Sequence, residues 1–406
     1  MQTLRTTFLF VILLVAHIAS LLFNINEMSI HHTEAFGFFY DRGWLFSLVR
    51  FSYEYFGHND FALRAPFLIL HTCNVCLLYA ISRIYLKKPV DVLLCVFTFM
   101  ILPGVVFSSV LISKATIIMS IALVCVYWQL RFKRNAYILP TIGVFLDAGC
   151  SVLFLGMFFY ALRQRHTYYM IFALACFAIN MNLFGIDVSG HPQSYFLDTL
   201  GGLIFLFSPL LLVYYIYSLI YSIKRYDDFM SYVSLSAIVF VLILSLRQKV
   251  DIATLIPMSV VALPVLIKRF VSDIRVRLPQ FRKPYVVRLV GIIVLACLQT
   301  GVLYANKLVY FLDVKTHFAK SYYYGKDLAH KLHSMGIHAI TTPDKRLELQ
   351  LRFYGISNDS PKLLQHTTDS KHYDIAIEYL GKAVAYYQIL PQTPSHKPNT
   401  THSIRR

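Results

Sequence analysis

The stretch Thr7–Asn24, TFLFVILLVAHIASLLFN, is a predominantly apolar run close to the start of the chain. A membrane span needs about 20 apolar residues, and no small-residue cleavage site follows the run, which predicts an uncleaved first span rather than a signal peptide. The 406 residues as a whole are 57% hydrophobic and 15% charged, whereas soluble domains carry roughly 25% charge. The composition therefore excludes a water-soluble globule and predicts an α-helical polytopic membrane protein.

Clusters of Lys and Arg separate further apolar runs along the chain. Short loops rich in these residues stay in the cytoplasm, so the net charge of +17 records membrane orientation and predicts no nucleic-acid partner. The lipid bilayer is the partner that this pattern predicts. The further runs cover about 61–82, 90–111, 113–130, 137–162, 167–186, 195–222, 229–246, 252–267 and 284–306.

The run 137–162 determines the number of crossings because it has basic residues at both ends, Arg134 and Arg163. A single crossing would place every later basic loop outside the cell. Two short helices with an apex near Asp147 keep those loops inside, and they spare the acid a cost of about 2.5–3.5 kcal/mol at the bilayer centre. We therefore expect about 11 transmembrane helices, with the N-terminus in the cytoplasm and the C-terminal segment outside.

The chain is predicted to contain a transmembrane domain, 1–307, a small external α/β domain, 308–390, and a disordered tail, 391–406. The external loop 25–60 of the first domain interleaves aromatic and charged residues, which is typical of short helices on a membrane surface. In the C-terminal domain we expect helices at 326–335 and 345–354, strands at 337–341 and 373–378, and a further helix at 382–390. Its histidines lack ligand spacing and are interpreted as surface residues.

Two parts of the first hundred residues resemble a known family: HHTEAFGFFY, residues 31–40, and GHNDFALRAP, residues 57–66. Together they resemble the multi-spanning GT-C fold glycosyltransferases that use lipid-phosphate sugars, especially bacterial protein-mannosyltransferase and aminoarabinose-transferase relatives. Residues 191–212 and 247–267 are similar to later external turns and Pro-containing spans of that family.

The resemblance implies an enzyme that moves a sugar from a polyprenyl-phosphate donor to a glycan, lipid or protein acceptor. It would act on the periplasmic side of the bacterial inner (cytoplasmic) membrane. Relatives carry an acidic pair in the first external loop, of which Glu34 remains here. They also place an acid where this chain has Lys114, and Thr-Lys-Gly where it has Leu146–Asp147–Ala148–Gly149. Either acid and base have exchanged positions, or the alignment shifts there, so a second carboxylate and a divalent metal cofactor stay open.

Three acids are candidate catalytic residues. Glu34 is the candidate base or metal ligand, and its alternatives are a solvated loop acid or a helix cap. Asp41 follows seven residues later and would share a helical face with Glu34 if the helix is continuous. Asp147 is either a second acid or a cap for the returning helix. His31 and His32 flank Glu34 and are candidates to assist it.

Four cations are candidates for binding the donor phosphate. Arg64 lies in the second span, where a charge indicates function by default, although snorkelling or pairing with Asp60 would also explain it. Arg247 and Lys249 lie at an external turn against the positive-inside trend, with a simple polar turn as the alternative. Lys114 is the fourth.

Two other functions remain open from the residues alone. One is a non-catalytic carrier or flippase for a lipid-linked sugar, and the other is a degenerate family member acting as a scaffold. The spans carry few charges in their inward halves, which favours the enzyme over transport.

Overall fold

The computed structural model describes residues 2–185, 195–250, 255, 257–305, 324–367, 372–379 and 381–391. The chain forms two compact units. The helical unit comprises Met1–Asn24 and Phe61–Tyr304, and the sheet unit comprises Ile25–Asp60 and Ala305–Arg406. Residues 25–60, expected to be a loop of the transmembrane domain, therefore group with the C-terminal segment. The tail 392–406 lies outside the described residues.

The described residues are predominantly helical, with one small sheet near the C-terminus. In chain order the helices are α1 (Gln2–Glu27), α2 (His32–Tyr40), α3 (Trp44–Phe56), α4 (Asp60–Tyr85), α5 (Pro89–Met100), α6 (Pro103–Val110), α7 (Ala115–Phe132), α8 (Ile138–Val144), α9 (Ser151–Arg163), α10 (Thr167–Phe184), α11 (Phe196–Phe207), α12 (Pro209–Arg225), α13 (Phe229–Ser245), α14 (Leu263–Val276), α15 (Lys283–Tyr304), α16 (Tyr324–Ser334) and α17 (Lys345–Phe353). The strands are β1 (Lys362–Thr367), β2 (Ile375–Tyr379) and β3 (Lys382–Pro391).

Within the described part of the chain, five helical segments are long and apolar enough to cross a membrane, or seven if two bent helix pairs each count as one span. This supports a membrane-embedded helical protein, while the expected count of eleven crossings stays a prediction. The five segments are Leu4–Glu27, Asp60–Tyr85, Ala115–Phe132, Thr167–Phe184 and Pro279–Val302.

Both bent pairs break immediately before a proline. The pair α5 and α6 bends by 59° and the pair α11 and α12 bends by 93°. The ring of a proline disfavours helical geometry at the preceding residue, and both Leu102, before Pro103, and Ser208, before Pro209, have non-helical ψ angles of 122° and 140°. The apolar runs 90–111 and 195–222 are therefore each two helices rather than one.

The run 137–162 is interrupted where the sequence predicts an apex. A short 3-10 turn, Ala148–Cys150, separates α8 from α9. The seven residues of α8 rise only about 10 Å, a third of the hydrocarbon thickness of a bilayer. A re-entrant hairpin has the same consequence as two crossings, since either returns the chain to the side from which it came.

The helical unit packs tightly around α9, which contacts both α10 and α13. Gly156 lies at the closest approach of α9 to α13, where an added Cβ would come within 2.6 Å of the Val233 Cα atom. Small residues allow helix backbones to approach in this way inside membranes. An ion pair ties α14 to α5, because Arg275 donates to both carboxylate oxygens of Asp91 at 2.7 and 2.5 Å.

The sheet unit contains an antiparallel sheet of order β1-β3-β2. The predicted helices at 326–335 and 345–354 and the strand at 373–378 are confirmed as α16, α17 and β2. The helix predicted at 382–390 is wrong, since this segment is the central strand β3. Its Val, Tyr and Ile side chains suit a pleated surface, and pairing on both sides outweighs its local helical tendency. The segment 337–341 forms isolated bridges at Ala339 and Thr341 rather than the predicted strand.

Candidate functional site

Glu34 lies in the first turn of α2 and caps that helix. Its Oε2 accepts a hydrogen bond from the His31 backbone N–H at 3.1 Å, and the His31 side chain accepts in return, so the two residues form a capping box. The Glu34 side chain is buried. The helix-cap alternative is therefore observed, the solvated-acid alternative is not, and a catalytic role stays a prediction.

His31 is held in its neutral form by this position. Its Nδ1 accepts from the Thr33 backbone N–H, which requires an unprotonated nitrogen. Burial, followed by the nearby His32 and Arg346, lowers the pKa of His31 to about 4. Burial and Arg346 also lower the pKa of His32. Neither residue is poised to carry a proton near neutral pH.

Asp41 does not share a helical face with Glu34, because α2 ends at Tyr40. The Asp41 side chain is exposed and its Oδ1 accepts from the Gly43 backbone N–H at 2.7 Å. Arg50 donates to the Asp41 carbonyl oxygen, also at 2.7 Å. Asp41 therefore terminates α2, and a paired-carboxylate site with Glu34 has no support.

Lys114 and Asp147, in the helical unit, form an ion pair. Lys114 Nζ lies 2.7 Å from Asp147 Oδ2, and the Asp147 side chain is only 6% exposed. Asp147 Oδ1 accepts from the Gly149 backbone N–H at 2.9 Å, which caps the turn before α9. Asn180 of α10 donates to the carbonyl oxygens of Val144 and Asp147 and so holds the apex in place.

The other predicted cations differ in burial. Arg64 is completely buried in α4, so it does not snorkel to water. Arg247 and Lys249 follow the end of α13 and are exposed. An exposed cation is accessible to a phosphate group, whereas a fully buried one stabilises charge only inside the protein.

Asp60 belongs to a network in the sheet unit that the sequence did not reveal. Its carboxylate accepts from Lys326 Nζ and from the Tyr354 hydroxyl, both at 2.9 Å. The same hydroxyl accepts from the Ile30 backbone N–H at 2.9 Å, and Gln350 donates to the Ile30 carbonyl oxygen. These bonds fasten both ends of segment 25–60 to α16 and α17.

A histidine pair in the helical unit was also missed. His17 Nε2 of α1 and His71 Nε2 of α4 lie 2.9 Å apart, and both rings are buried. Each lies near the middle of a candidate span. Asn74, one turn after His71, is buried as well and donates to the Thr116 carbonyl oxygen. The sequence feature that could have indicated this pair is that His17 and His71 are each a polar residue inside an apolar run.

No group of three or more His, Cys, Asp or Glu side chains with metal-binding geometry occurs among the residues that the structure describes. A divalent metal cofactor therefore stays a prediction, with Glu34 as its proposed ligand.

No protein-family model matches the chain, and no curated protein or solved structure is significantly similar to it. The resemblance to GT-C glycosyltransferases therefore rests on sequence motifs alone, chiefly residues 31–40 and 57–66.

Proposed function

We propose that the chain is a membrane glycosyltransferase that takes a sugar from a polyprenyl-phosphate donor. The ion pair between Lys114 and Asp147 is the observation that supports this most strongly. At both positions the sequence departs from the pattern of the family that it resembles: the resemblance implies an acid in place of Lys114 and a lysine near Asp147. An exchange of acid and base is one of the two alternatives that the resemblance leaves open, and swapping the partners of an ion pair preserves its attraction.

The reaction requires a cation and a base. The acceptor oxygen attacks the anomeric carbon, the bond from that carbon to the phosphate oxygen breaks, and the polyprenyl phosphate leaves with the electron pair. Positive charge stabilises the leaving phosphate, and a base receives the acceptor proton. Lys114 suits the first role, since its side chain is 36% exposed while Asp147 fixes its direction.

Glu34 is the proposed base. It is buried, and its capping bond to His31 fixes the orientation of the carboxylate on α2. A preorganised group loses little freedom on binding substrate, which favours catalysis. Arg247 and Lys249, exposed after α13, are proposed to assist in attracting the donor, and Arg64 to support charge inside the helical unit.

The proposed location is a bacterial inner membrane, with the N-terminus in the cytoplasm and the C-terminal domain in the periplasm. The basic clusters support this orientation through the positive-inside rule. The break between α8 and α9 supports a hairpin that returns to the cytoplasmic side. The count of eleven crossings stays a proposal, and α8, which rises only about 10 Å, fits a re-entrant hairpin with α9 better than a full crossing.

A carrier or flippase for a lipid-linked sugar is the second candidate. The buried polar face of α4, with Arg64, His71 and Asn74, favours it because polar groups inside a membrane often mark a substrate path. A carrier would move the donor across the bilayer without breaking the sugar–phosphate bond.

Mass spectrometry of surface glycans, with and without the gene, tests the enzyme. We expect one sugar to be lost from an acceptor and its polyprenyl-phosphate form to accumulate on the outer leaflet. A carrier would instead leave the donor on the inner leaflet, and unchanged glycans would contradict both functions.

A further inference from the structure

Two histidines of the sheet unit, five residues apart, converge at the end of α16. The helix ends at Ser334, and Gly336 has a φ of +70°, a left-handed conformation that suits glycine. The Ile337 N–H then bonds to the Leu332 carbonyl oxygen at 2.9 Å, as in a Schellman motif. This reversal brings His338 back onto His333, with Nδ1 of one ring 3.1 Å from Nδ1 of the other.

The protonation of His333 follows from its second contact. Its Nε2 lies 3.0 Å from the Tyr354 carbonyl oxygen, which can only accept. Nε2 therefore carries the proton, and in the neutral ring Nδ1 presents its lone pair towards His338. Histidines that bind metals usually donate their other ring N–H to a carbonyl or carboxylate in this way.

The position of His338 is also fixed by the backbone. The Ser357 N–H donates to the His338 carbonyl oxygen at 3.0 Å, and Ala339 pairs with Ser357 in an isolated bridge. The His338 side chain is exposed and that of His333 is half-buried. The two nitrogens are thus held in place and remain accessible to a solvated ion.

We propose that His333 and His338 form a two-histidine site for a divalent late transition-metal ion such as Cu²⁺ or Zn²⁺. Metal–imidazole bonds are about 2.0–2.1 Å long, so two nitrogens on one ion are separated by about 2.9 Å at a right angle and about 3.4 Å at a tetrahedral angle. The observed 3.1 Å lies between these values. Imidazole nitrogens favour these ions, and water completes the coordination.

Binding replaces the hydrogen bond between the rings. The neutral pair shares one proton between its two Nδ1 atoms, and the ion displaces this proton to Nε2 of His338 or to solvent. Only an unprotonated imidazole nitrogen binds a metal, so the ion and the proton compete for the two Nδ1 atoms.

Electron paramagnetic resonance of Cu²⁺ bound to the untagged, full-length protein in detergent tests the site. We expect nitrogen splittings from two imidazoles at one equivalent of Cu²⁺. His338→Ala, which preserves the His333–Tyr354 bond, should retain one nitrogen and bind at least tenfold more weakly. His330→Ala, which removes an exposed histidine one turn earlier in α16, is the matched control and should behave as the wild type.

Zn²⁺ provides a second readout, because an ion that binds only the folded state raises the thermal midpoint. That increase should be present in the wild type and in His330→Ala and absent in both His333→Ala and His338→Ala. Equal Cu²⁺ affinity and nitrogen splittings in the wild type and His338→Ala would overturn the site. A loss of Cu²⁺ affinity in His330→Ala as large as that in His338→Ala would overturn it as well.

Discussion

Lys114 and Asp147 lie 2.7 Å apart although they belong to different helical segments, and their exposure differs sharply: 36% for the lysine side chain and 6% for the aspartate. The lysine can reach water, whereas the carboxylate depends on its partners. The pair is therefore asymmetric, and removing one member should not be equivalent to removing the other.

Lys114→Met should destabilise the helical unit more than Asp147→Asn. The first change leaves a buried carboxylate without its cation, for which the cost is about 3–5 kcal/mol, while the second leaves a lysine that solvent can stabilise. The double variant Lys114→Asp with Asp147→Lys should recover only part of the loss, because it restores the ion pair but not the oxygen that accepts from the Gly149 N–H. Unfolding in detergent by denaturant titration measures these differences.

The Arg163–Asp227 pair provides a matched control, since its side chains are 61% and 31% exposed. Arg163→Met should cost much less than Lys114→Met, because exposed ion pairs contribute little to stability. Equal costs for Lys114→Met and Arg163→Met would show that Asp147 is not a buried partner.

The Tyr354 hydroxyl should stabilise segment 25–60 against α17. Tyr354→Phe removes its bonds to Asp60 and to the Ile30 N–H, and unsatisfied buried groups cost about 1–3 kcal/mol each. Hydrogen exchange of the amides near Ile30 should accelerate. Tyr373, which is 44% exposed, provides the control, and Tyr373→Phe should leave that exchange unchanged. Equal exchange rates near Ile30 in the two variants would show that the Tyr354 hydroxyl does not stabilise segment 25–60.

Helix α3 should lie in a membrane interface. Its residues Leu45, Val49 and Ser52 are buried, while Trp44, Leu48, Phe51 and Tyr55 form an exposed face with the spacing of one helical side. Such faces enter the boundary between headgroups and acyl chains by about 5–10 Å. The chain has two tryptophans, so Trp128→Phe leaves Trp44 as the only indole.

Brominated lipids measure the depth of that indole. In Trp128→Phe, lipids brominated near the headgroup should quench the fluorescence of Trp44 more strongly than lipids brominated deep in the acyl chain. In Trp44→Phe, the remaining Trp128 of α7 serves as the comparison. Strong quenching of Trp44 by aqueous iodide, without lipid quenching, would place α3 in water.

Acidification should weaken the sheet unit through His31. Because its pKa in the folded protein, about 4, is below the ordinary 6.5, the unfolded chain binds the proton more readily between these values. Stability is complete above about pH 6.5 and falls as the pH decreases towards 4. Asn caps helices well without titrating, so His31→Asn should reduce this pH dependence in thermal unfolding. An identical pH profile would show that His31 does not contribute.

Local sequence patterns were sufficient to predict some helices and strands and insufficient to predict others. The amphipathic spacing of Lys345–Phe353 predicts α17, and the acid between two apolar halves predicts the break at Asp147. The segment Lys382–Pro391 could not be predicted, because it becomes a strand only by pairing with β1 and β2. The contact between Tyr354 and Asp60 joins residues 294 positions apart, and no local periodicity encodes such a contact.

The residues of the candidate site were also predicted only in part. Charges out of place in an apolar or external segment identified Lys114 and Asp147 separately, while their contact depends on packing of α10 against the apex. His17 and His71 carry no charge pattern, so their pairing was not predicted. The helix-capping role of Glu34 follows from local sequence, because Glu at the third helical position is typical of a capping box.

Glu34 is proposed both to act as the catalytic base and to cap α2. Two substitutions distinguish these roles. Glutamine preserves the capping bond, so Glu34→Gln should fold as the wild type, whereas Glu34→Ala should lose both cap and charge. The decisive measurement is restoration of the surface glycan in cells that lack the chromosomal gene. We expect restoration by the wild type and none by Glu34→Gln at equal expression. Full restoration by Glu34→Gln would contradict the catalytic role and leave Glu34 as a helix cap.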